Sequence, residues 1–494
     1  MASARIGPFA TCAWIHAERS SLPMRLHHGS RSDMAKRSTS KATTKEAPSP
    51  TYFLSLTVEN YRTFGPKQTL DLGNGKGRPA PFTVILGDNG TGKTSLLRQL
   101  VNMVPKSPPT HWKEDQISQA QAMLLPFFTS EEELMPIVRM GSGKAFFRAA
   151  YAYGTLLGEE KPPPENASLE YQLHESSHGG IVYPRDSASP IHQMVVFAYG
   201  ANRPIGSGSL SEYHSDGTRS LVLENAPLIP AEEWLLQQDL LARHGNGDAK
   251  QAQQRLDTVI ELLKNLLPDD DIQDITFKAI ELSPTRQRIA VHVKTPYGEV
   301  PLRSLSLGYR TLMAWMIDLT VQMFARYPDS KKPLHQPAVV LVDEIDLHLH
   351  PKWQRKVFTE LAKTFPNVQF IVTAHSPLIV QAASADTNLV VLKRPEGASH
   401  VEIIQKPNAI RNWRMDQILI SDLFGLPSAR SPDLDMLYIR KDKLLKKSTL
   451  TEAEEAELED IDHKLLDESP VEKRYLDILR RAAAEVTTKR RRKS

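Results

Sequence analysis

The sequence predicts an α/β fold organised around a parallel β-sheet. Two apolar segments carry this prediction, Phe82 to Leu86 and Ala338 to Val342. Each is a short, continuous apolar run, which is typical of a strand buried on both faces of a parallel sheet. The first run leads into a glycine-rich loop and a helical pattern, and the second ends in two acidic residues. Because ligands of open α/β sheets bind at the carboxyl ends of the strands, the residues after both runs are candidates for one binding site.

Composition excludes several classes of protein. The chain has 494 residues, of which 40% are hydrophobic and 24% are charged, and this is typical of a protein with two to four domains. The sequence contains no apolar run of the ~18–20 residues that a membrane span needs, which excludes a transporter with its own membrane part. Cys12 is the only cysteine, so a disulfide framework and a cysteine-based zinc site are excluded, and a reducing, cytoplasmic location is expected. The net charge of +3 is too small to indicate nucleic-acid binding.

Residues 1–50 differ from the rest of the chain, with eight Lys and Arg against three acidic residues. We expect a disordered arm, or a non-native stretch upstream of a true start at Met34. A targeting peptide is the alternative, and whether residues 1–33 are present in the mature protein is left open.

The loop after the first strand has the spacing G-x-x-x-x-G-K-T of a phosphate-binding P-loop. Its glycines allow a tight backbone turn whose N–H groups can point at phosphate oxygens, and the following helix adds its positive dipole end. Lys93 is predicted to reach the β- and γ-phosphates of ATP, and the Thr94 hydroxyl is predicted to bind Mg²⁺. The residues expected to contact the nucleotide are Gly87, Asp88, Asn89, Gly90, Thr91, Gly92, Lys93, Thr94 and Ser95.

The two acids after the second strand are candidates for metal binding and catalysis. Asp343 is expected to hold Mg²⁺, and Glu344 is expected to orient and deprotonate the attacking water. The alternative, a strand that ends in acidic surface residues, is disfavoured by the P-loop upstream. A further apolar strand, Gln369 to Ala374, ends in His375. This histidine is either a sensor of the γ-phosphate or a structural residue.

The order of these segments is that of ABC-type ATPase heads: strand, P-loop, long insertion, acidic strand, helix, and strand ending in histidine. Residues 305–310, Leu-Ser-Leu-Gly-Tyr-Arg, resemble the ABC signature, although Leu307 replaces a glycine of its common form. The resemblance implies that Ser306 and Gly308 bind the γ-phosphate held by a second subunit. Residues 345–351 occupy the place of the ABC D-loop, and the alternative for His348 and His350 is a metal site.

Together with Asn60 to Phe64, these motifs resemble the RecF/SMC-like branch of ABC ATPases, and more narrowly the stand-alone AAA_21 group of bacterial ATPases. The resemblance covers roughly residues 52–105 and 295–395, and it makes Arg62 a phosphate contact. It implies an ABC-type P-loop ATPase head with a helical lobe and a C-terminal helical extension. The expected division is an ATPase core of residues 51–110 and 285–400, an inserted lobe of residues 111–284, and an extension of residues 401–494 with a basic tail.

Residues 413–426 resemble ATPases encoded beside HNH-type nucleases in antiphage systems such as Septu. The resemblance implies a homodimer, or a higher homo-oligomer, whose ATP-driven closure controls a partner nuclease, with DNA as a further candidate partner and no membrane. Three alternatives stay open. They are a RecF-like repair ATPase that binds duplex DNA directly, an ATP-binding module without significant turnover, and the nucleotide-binding subunit of a transporter.

Helical periodicity predicts helices over residues 113–125, 131–152 and 249–267, and a charged helical hairpin between Asp433 and Ala484. Thr451, with Glu454 three residues on, is a candidate helix cap. The glutamine loop of ABC heads could not be located. Gln193 precedes a predicted strand at residues 194–200, and Arg203 follows it. Both are expected to be ordinary surface residues, and the alternative for Arg203 is a basic contact in this interval.

Overall fold

A computed structural model describes residues 48–105, 138–159, 163–174, 190–206, 209–212, 217–223, 225–245, 247–266, 272–283, 286–384, 386–405, 413–421, 423–447 and 450–468. The strands are β1 (Thr51–Glu59), β2 (Gln68–Asp71), β3 (Phe82–Gly87), β4 (Lys144–Tyr153), β5 (Glu165–His174), β6 (Val196–Tyr199), β7 (Asp274–Ser283), β8 (Arg286–Thr295), β9 (Gly298–Pro301), β10 (Ala338–Val342), β11 (Val368–Thr373), β12 (Thr387–Lys393) and β13 (Glu402–Gln405). The α-helices are α1 (Lys93–Asn102), α2 (Arg219–Val222), α3 (Ala231–His244), α4 (Ala249–Leu266), α5 (Leu307–Arg326), α6 (Pro351–Gln354), α7 (Val357–Thr364), α8 (Pro377–Ala382), α9 (Met415–Ile420), α10 (Pro432–Leu445) and α11 (Glu452–Glu468).

The central sheet of the described chain has the strand order β13-β12-β3-β11-β10-β6, and β13 alone runs antiparallel to its neighbour. Every residue of β10 and β11 is buried, as their continuous apolar runs predict. Alternate side chains enter two different hydrophobic cores: Val340 and Val342 pack on the side of the long helix α5, whereas Val339 and Leu341 pack on the side of β1 and α1. The predicted strands at 82–86, 338–342 and 369–374 are thus confirmed, and β11 lies between the other two.

A second, antiparallel sheet has the order β2-β1-β4-β5. Its strand β4 shows that the helix predicted over residues 131–152 is wrong for the described residues 144–152. Ala145, Phe147, Ala149 and Tyr151 are fully buried and alternate with more exposed residues until Ala152, a period of two that suits a strand. This sheet covers the hydrophobic core on the side of β1 and α1, because these four side chains pack with residues of α1. Residues 131–137 and the predicted helix at 113–125 lie outside the described residues.

Helices cover the opposite face of the central sheet. Helix α4 confirms the prediction over residues 249–266, and its Leu256, Val259 and Leu263 enter the core. Residue 267 lies outside the described residues. Helix α5, which starts just after Ser306, is buried along most of its length. A three-stranded antiparallel sheet, β7-β8-β9, leads the chain into this helix.

The C-terminal helices α10 and α11 form the predicted hairpin over its described part. Leu444, Ile461 and Leu465 form a small core of their own. The cap at the start of α11 is also confirmed, because the Glu454 N–H donates to the Thr451 hydroxyl (3.4 Å) and the Thr451 N–H donates to the Glu454 carboxylate (3.1 Å). The basic run at 489–493 lies outside the described residues. None of the helices in the described part of the chain combines the length and apolarity needed to cross a membrane.

Candidate functional site

The glycine-rich loop runs from the end of β3 to the start of α1. Gly90 and Gly92 have φ of 77° and 99°, a left-handed backbone that favours glycine. At Gly92 a side chain would also meet the Thr63 hydroxyl, which lies 2.6 Å from an ideal Cβ position. The backbone of the loop therefore lies against the turn after β1 with no room for a side chain.

Lys93 opens α1 and is 7% exposed. Its Nζ donates hydrogen bonds to the carbonyl oxygens of Gly87 (2.7 Å) and Asp88 (2.9 Å). Burial lowers the pKa of Lys93, and the nearby Asp343 and Glu344 carboxylates oppose that shift. The ammonium group thus lies inside the loop, satisfied by neutral main-chain acceptors.

The P-loop and the downstream acids converge, as the sequence predicts. The Thr94 hydroxyl donates to Asp343 Oδ2 at 2.7 Å, although the two residues are 249 positions apart. The contact forms because β3 and β10 run parallel with only β11 between them, so both loops leave the same edge of the sheet. A hydroxyl and a carboxylate from two different elements therefore meet at one point.

Thr373, the last residue of β11, joins the two acids, and sequence reasoning missed it. Its hydroxyl donates to Asp343 Oδ1 (2.6 Å) and accepts from the Glu344 N–H (2.7 Å). The residue is fully buried. Its place at the C-terminal end of the strand beside β10 was visible in the sequence, but a threonine there is also common in strands for packing reasons.

Glu344 and His375 face the same space. Glu344 has φ of 49°, a left-handed backbone that is uncommon outside glycine. Its Oε1 lies 3.9 Å from His375 Nε2, and the two side chains are 33% and 36% exposed. The turn that carries His375 is fixed by Asp346, whose Oδ2 accepts from the N–H groups of His375 (2.9 Å) and Ser376 (2.6 Å). This role of Asp346 was not predicted.

The expectation that Arg203 is an ordinary surface residue is wrong, because the residue is only 5% exposed. Its Nη2 donates to the carbonyl oxygens of Asp343 (3.2 Å) and Glu344 (2.7 Å). The contact spans about 140 positions and follows from β6 pairing in parallel with β10, which no local pattern encodes. Gln193 is half-buried, and its Oε1 accepts from the Ser49 N–H at 3.0 Å.

Arg62 lies at the first turn of α1, where its Nη1 donates to the Ser95 hydroxyl at 3.2 Å. Its φ of 49° belongs to a tight turn after β1, and the Thr63 hydroxyl in that turn donates to the Thr91 carbonyl at 3.1 Å. The turn after β1 is therefore attached directly to the P-loop, and this brings Arg62 beside the predicted phosphate site.

Ser306 precedes α5, and Gly308 lies against the main-chain carbonyl of His348. With Leu349 and Trp353 they line a cavity of about 380 Å³, and none of the described P-loop residues lines it. The described residues contain no group of three or more His, Cys, Asp or Glu side chains arranged to hold a metal ion.

Two family models match the chain. The AAA_21 model, described as "AAA domain, putative AbiEii toxin, Type IV TA system", matches residues 292–381, which include the signature, the acids and His375. The AAA_23 model, described as "AAA domain", matches residues 55–102, which include the P-loop. The two matches fall on the segments that the fold brings together.

Among known proteins, the Septu protein PtuA of Bacillus mycoides (strain KBAB4) is 24% identical over 399 residues, covering 80% of this chain and 48% of that protein. The Retron Vc95 probable ATPase of Vibrio cholerae serotype O1 biovar El Tor is 42% identical over 89 residues, covering 18% of this chain and 17% of that protein. The chain thus spans half or less of the length of these relatives.

Among solved structures, the SMC head domain from Thermotoga maritima is 14% identical, covers 72% of this chain and 98% of its own, and has a TM-score of 0.36. The sheet order, the convergence of Thr94 with Asp343 and the sequence matches agree with the resemblance drawn from the motifs. The chain is thus similar to AAA domains over residues 55–102 and 292–381, and to Septu and retron proteins over the segments given above.

Proposed function

We propose that this protein binds and hydrolyses ATP between two copies of itself, and that closure of this dimer controls a partner nuclease in antiphage defence. The hydrogen bond between Thr94 and Asp343 is the observation that carries the proposal. It joins the helix that follows the P-loop to the acidic end of β10, and a nucleotide triphosphate site needs both elements.

The N–H groups of the loop and of the first turn of α1 bind the phosphates, together with the Lys93 ammonium. Lys93 already lies inside the loop, on two neutral carbonyl oxygens. Phosphate oxygens are charged acceptors and form stronger hydrogen bonds than these carbonyls. We therefore expect the ammonium to exchange them for the nucleotide.

Thr94 and Asp343 supply a hydroxyl and a carboxylate, and these are the oxygen ligands that Mg²⁺ prefers. A site with few protein ligands fits this ion, which usually keeps several waters and binds substrate phosphates. Mg²⁺ bound there would neutralise charge on the β- and γ-phosphates. The second Asp343 oxygen is held by Thr373, so the carboxylate is already oriented.

Glu344 accepts the proton of the attacking water, and His375 contacts the γ-phosphate. Their side chains lie 3.9 Å apart and both are partly exposed, so that a water and a phosphate can reach them. Ser306 and Gly308 of the second copy complete the site. Both residues lie at the start of α5 and line a cavity together with Leu349 and Trp353.

Control of a nuclease is supported by the similarity to the Septu protein and by the resemblance of residues 413–426 to ATPases encoded beside HNH-type nucleases. The described part of that segment, α9 and the turn after it, packs against the ATPase core through Ile418 and Leu423. A partner bound there would contact an element attached to the nucleotide-binding domain.

Gel filtration of Glu344→Gln with and without Mg²⁺-ATP tests the dimer. The variant keeps the shape of the side chain and removes the base, so it should bind ATP and accumulate as a larger species only with nucleotide. Lys93→Ala is the control and should stay at one elution volume. If Glu344→Gln hydrolyses ATP at the wild-type rate, the assignment of the base is wrong.

Binding of duplex DNA by the purified chain would instead favour a RecF-like role. Contacts with DNA phosphates are salt-dependent, so the assay is a gel shift at low and at high salt with and without ATP. An ATP-dependent shift at low salt that disappears at high salt would support direct DNA binding. Absence of any shift at low salt would count against it.

A further inference from the structure

Arg203 is a buried cation in direct contact with the segment that carries both acids. It lies four residues after β6, in a loop beside the C-terminal end of β10. Burial lowers the pKa of Arg203 to about 10, and the surrounding carboxylates oppose this shift, so the guanidinium remains charged at neutral pH. A buried charge is costly unless it is paired, and such a group needs an explanation.

The hydrogen bonds of Arg203 go to main-chain oxygens, not to a carboxylate. Nη2 donates to the Asp343 carbonyl at 3.2 Å and to the Glu344 carbonyl at 2.7 Å. Both are carbonyls of the peptide units on either side of the Glu344 Cα. Fixing two successive peptide units fixes the φ and ψ angles between them.

The conformation fixed in this way is an unfavourable one. Glu344 has φ of 49°, and a left-handed conformation costs a non-glycine residue roughly 1–2 kcal/mol. The bend turns the chain at the end of β10 and leaves the Glu344 side chain beside His375. In a relaxed, extended backbone the side chain would point elsewhere, because successive side chains of a strand alternate between faces.

Two further contacts hold the bend and the guanidinium. The Glu344 N–H donates to Thr373, so β11 fixes the other side of the bend. The guanidinium carbon lies 5.8 Å from the ring centre of Trp315, a fully buried residue of α5. Such stacking favours arginine over lysine. Arg203 thus connects the signature helix to the acid that we propose as the base.

We propose that Arg203 is a positioning residue for ATP hydrolysis: its guanidinium holds the main chain of Asp343 and Glu344 in the bend that directs the Glu344 carboxylate into the site. The inference rests on the proposed function, since it gives the bend a catalytic purpose. Its competitor is a purely structural role, in which the buried charge stabilises the fold and has no specific effect on the base.

The experiment compares Arg203→Lys, Arg203→Met and a matched control, Arg255→Lys. The control arginine also stacks on a ring of α5, Phe324, at 5.7 Å, but it is not among the donors to the acidic segment. Lysine keeps the charge but lacks the planar guanidinium, whose Nη2 makes both hydrogen bonds and which lies over Trp315. Methionine removes the charge and keeps an apolar stem. If Arg203→Met does not fold, Arg203→Lys gives the answer.

Three quantities are measured: kcat and KM for ATP, the dissociation constant of ATP without turnover, and the amide hydrogen exchange of residues 343–346. We expect Arg203→Lys to lower kcat about 10- to 100-fold, because a small misplacement of a catalytic group has an effect of this size. KM and the affinity for ATP should change by less than about threefold. Exchange at the Glu344 and Ile345 amides, which bond to Thr373, should rise at least about tenfold. Arg255→Lys should change none of these.

In the background of Glu344→Gln, which lacks the base, Arg203→Lys should cause almost no further loss of turnover, because the two residues act as a unit. Equal kcat in wild type and Arg203→Lys would overturn the inference and leave the ATPase proposal standing. If the wild type binds ATP but never hydrolyses it, the ATPase proposal fails. Unchanged amide exchange at residues 343–346 in Arg203→Lys would separately overturn the claim that Arg203 positions the main chain.

Discussion

Replacement of Thr373 by valine tests whether one buried hydroxyl organises the acidic side of the site. The substitution keeps the shape of the side chain and removes the oxygen. Asp343 Oδ1 then loses a donor at 2.6 Å, and the Glu344 N–H loses an acceptor at 2.7 Å. Because Thr373 is fully buried, no surface water replaces the missing partner directly.

The expected cost follows from these two contacts. A hydrogen bond to a charged group contributes about 1.5–3 kcal/mol, and a buried N–H left without an acceptor costs about 1–3 kcal/mol. Local relaxation recovers part of the sum, so we expect Thr373→Val to lower the free energy of unfolding by about 3 kcal/mol. Thr373→Ser keeps the hydroxyl and removes one methyl group, and its expected cost is about 1 kcal/mol.

Urea unfolding of wild type, Thr373→Val and Thr373→Ser measures the difference, with tryptophan fluorescence and circular dichroism required to give coincident transitions. We expect the valine variant to be the less stable of the two by about 2 kcal/mol. Valine would pack better than serine if the site were only a hydrophobic position. A valine variant as stable as the serine variant, or more stable, would refute the reasoning.

Other substitutions test separate parts of the structure. Lys93→Ala removes the buried ammonium and should weaken ATP binding at least about 100-fold in equilibrium titration, whereas wild-type affinity would contradict its assignment. Gly92→Ala places a methyl group on a backbone with φ of 99° and against the Thr63 hydroxyl, so it should abolish ATP binding. Gly90→Ala is the comparison, because no atom lies within 4 Å of its new methyl group. It should lower the free energy of unfolding only by the backbone cost of about 1–2 kcal/mol, measured by thermal unfolding. Leu444→Ala should destabilise the C-terminal hairpin by about 2–5 kcal/mol and speed its cleavage in limited proteolysis; a matching loss of ATP affinity would show that the hairpin is coupled to the site.

The parts of the fold that the sequence predicts well are those with a strong local signal. Strands β3, β10 and β11 are continuous apolar runs because both of their faces are buried, and the P-loop has a fixed spacing of glycines. Strand β4 differs from the predicted helix because its alanines and aromatic residues fit both periods. The burial of Ala145, Phe147, Ala149 and Tyr151 shows the period of two that the sequence leaves ambiguous.

The parts of the site that sequence reasoning missed depend on the order of strands in the sheet. Arg203 and Thr373 reach the acids from strands on either side of β10, across 140 and 30 positions of chain. An arginine after a strand is most often a surface residue, and a threonine in a strand most often serves packing. Only the parallel pairing of β6, β10 and β11 gives either of them a partner.

The place of β11 between the P-loop strand and the acidic strand makes the site sensitive to the length of a segment that carries no phosphate-binding motif. Val372 pairs with Val342, and Thr373 pairs with Ile85. Deleting one residue within β11 would shift the residues after it by about 3.3 Å and turn every following side chain of the strand to the opposite face. A homologue with every recognisable nucleotide motif intact could therefore be inactive through one missing residue in β11.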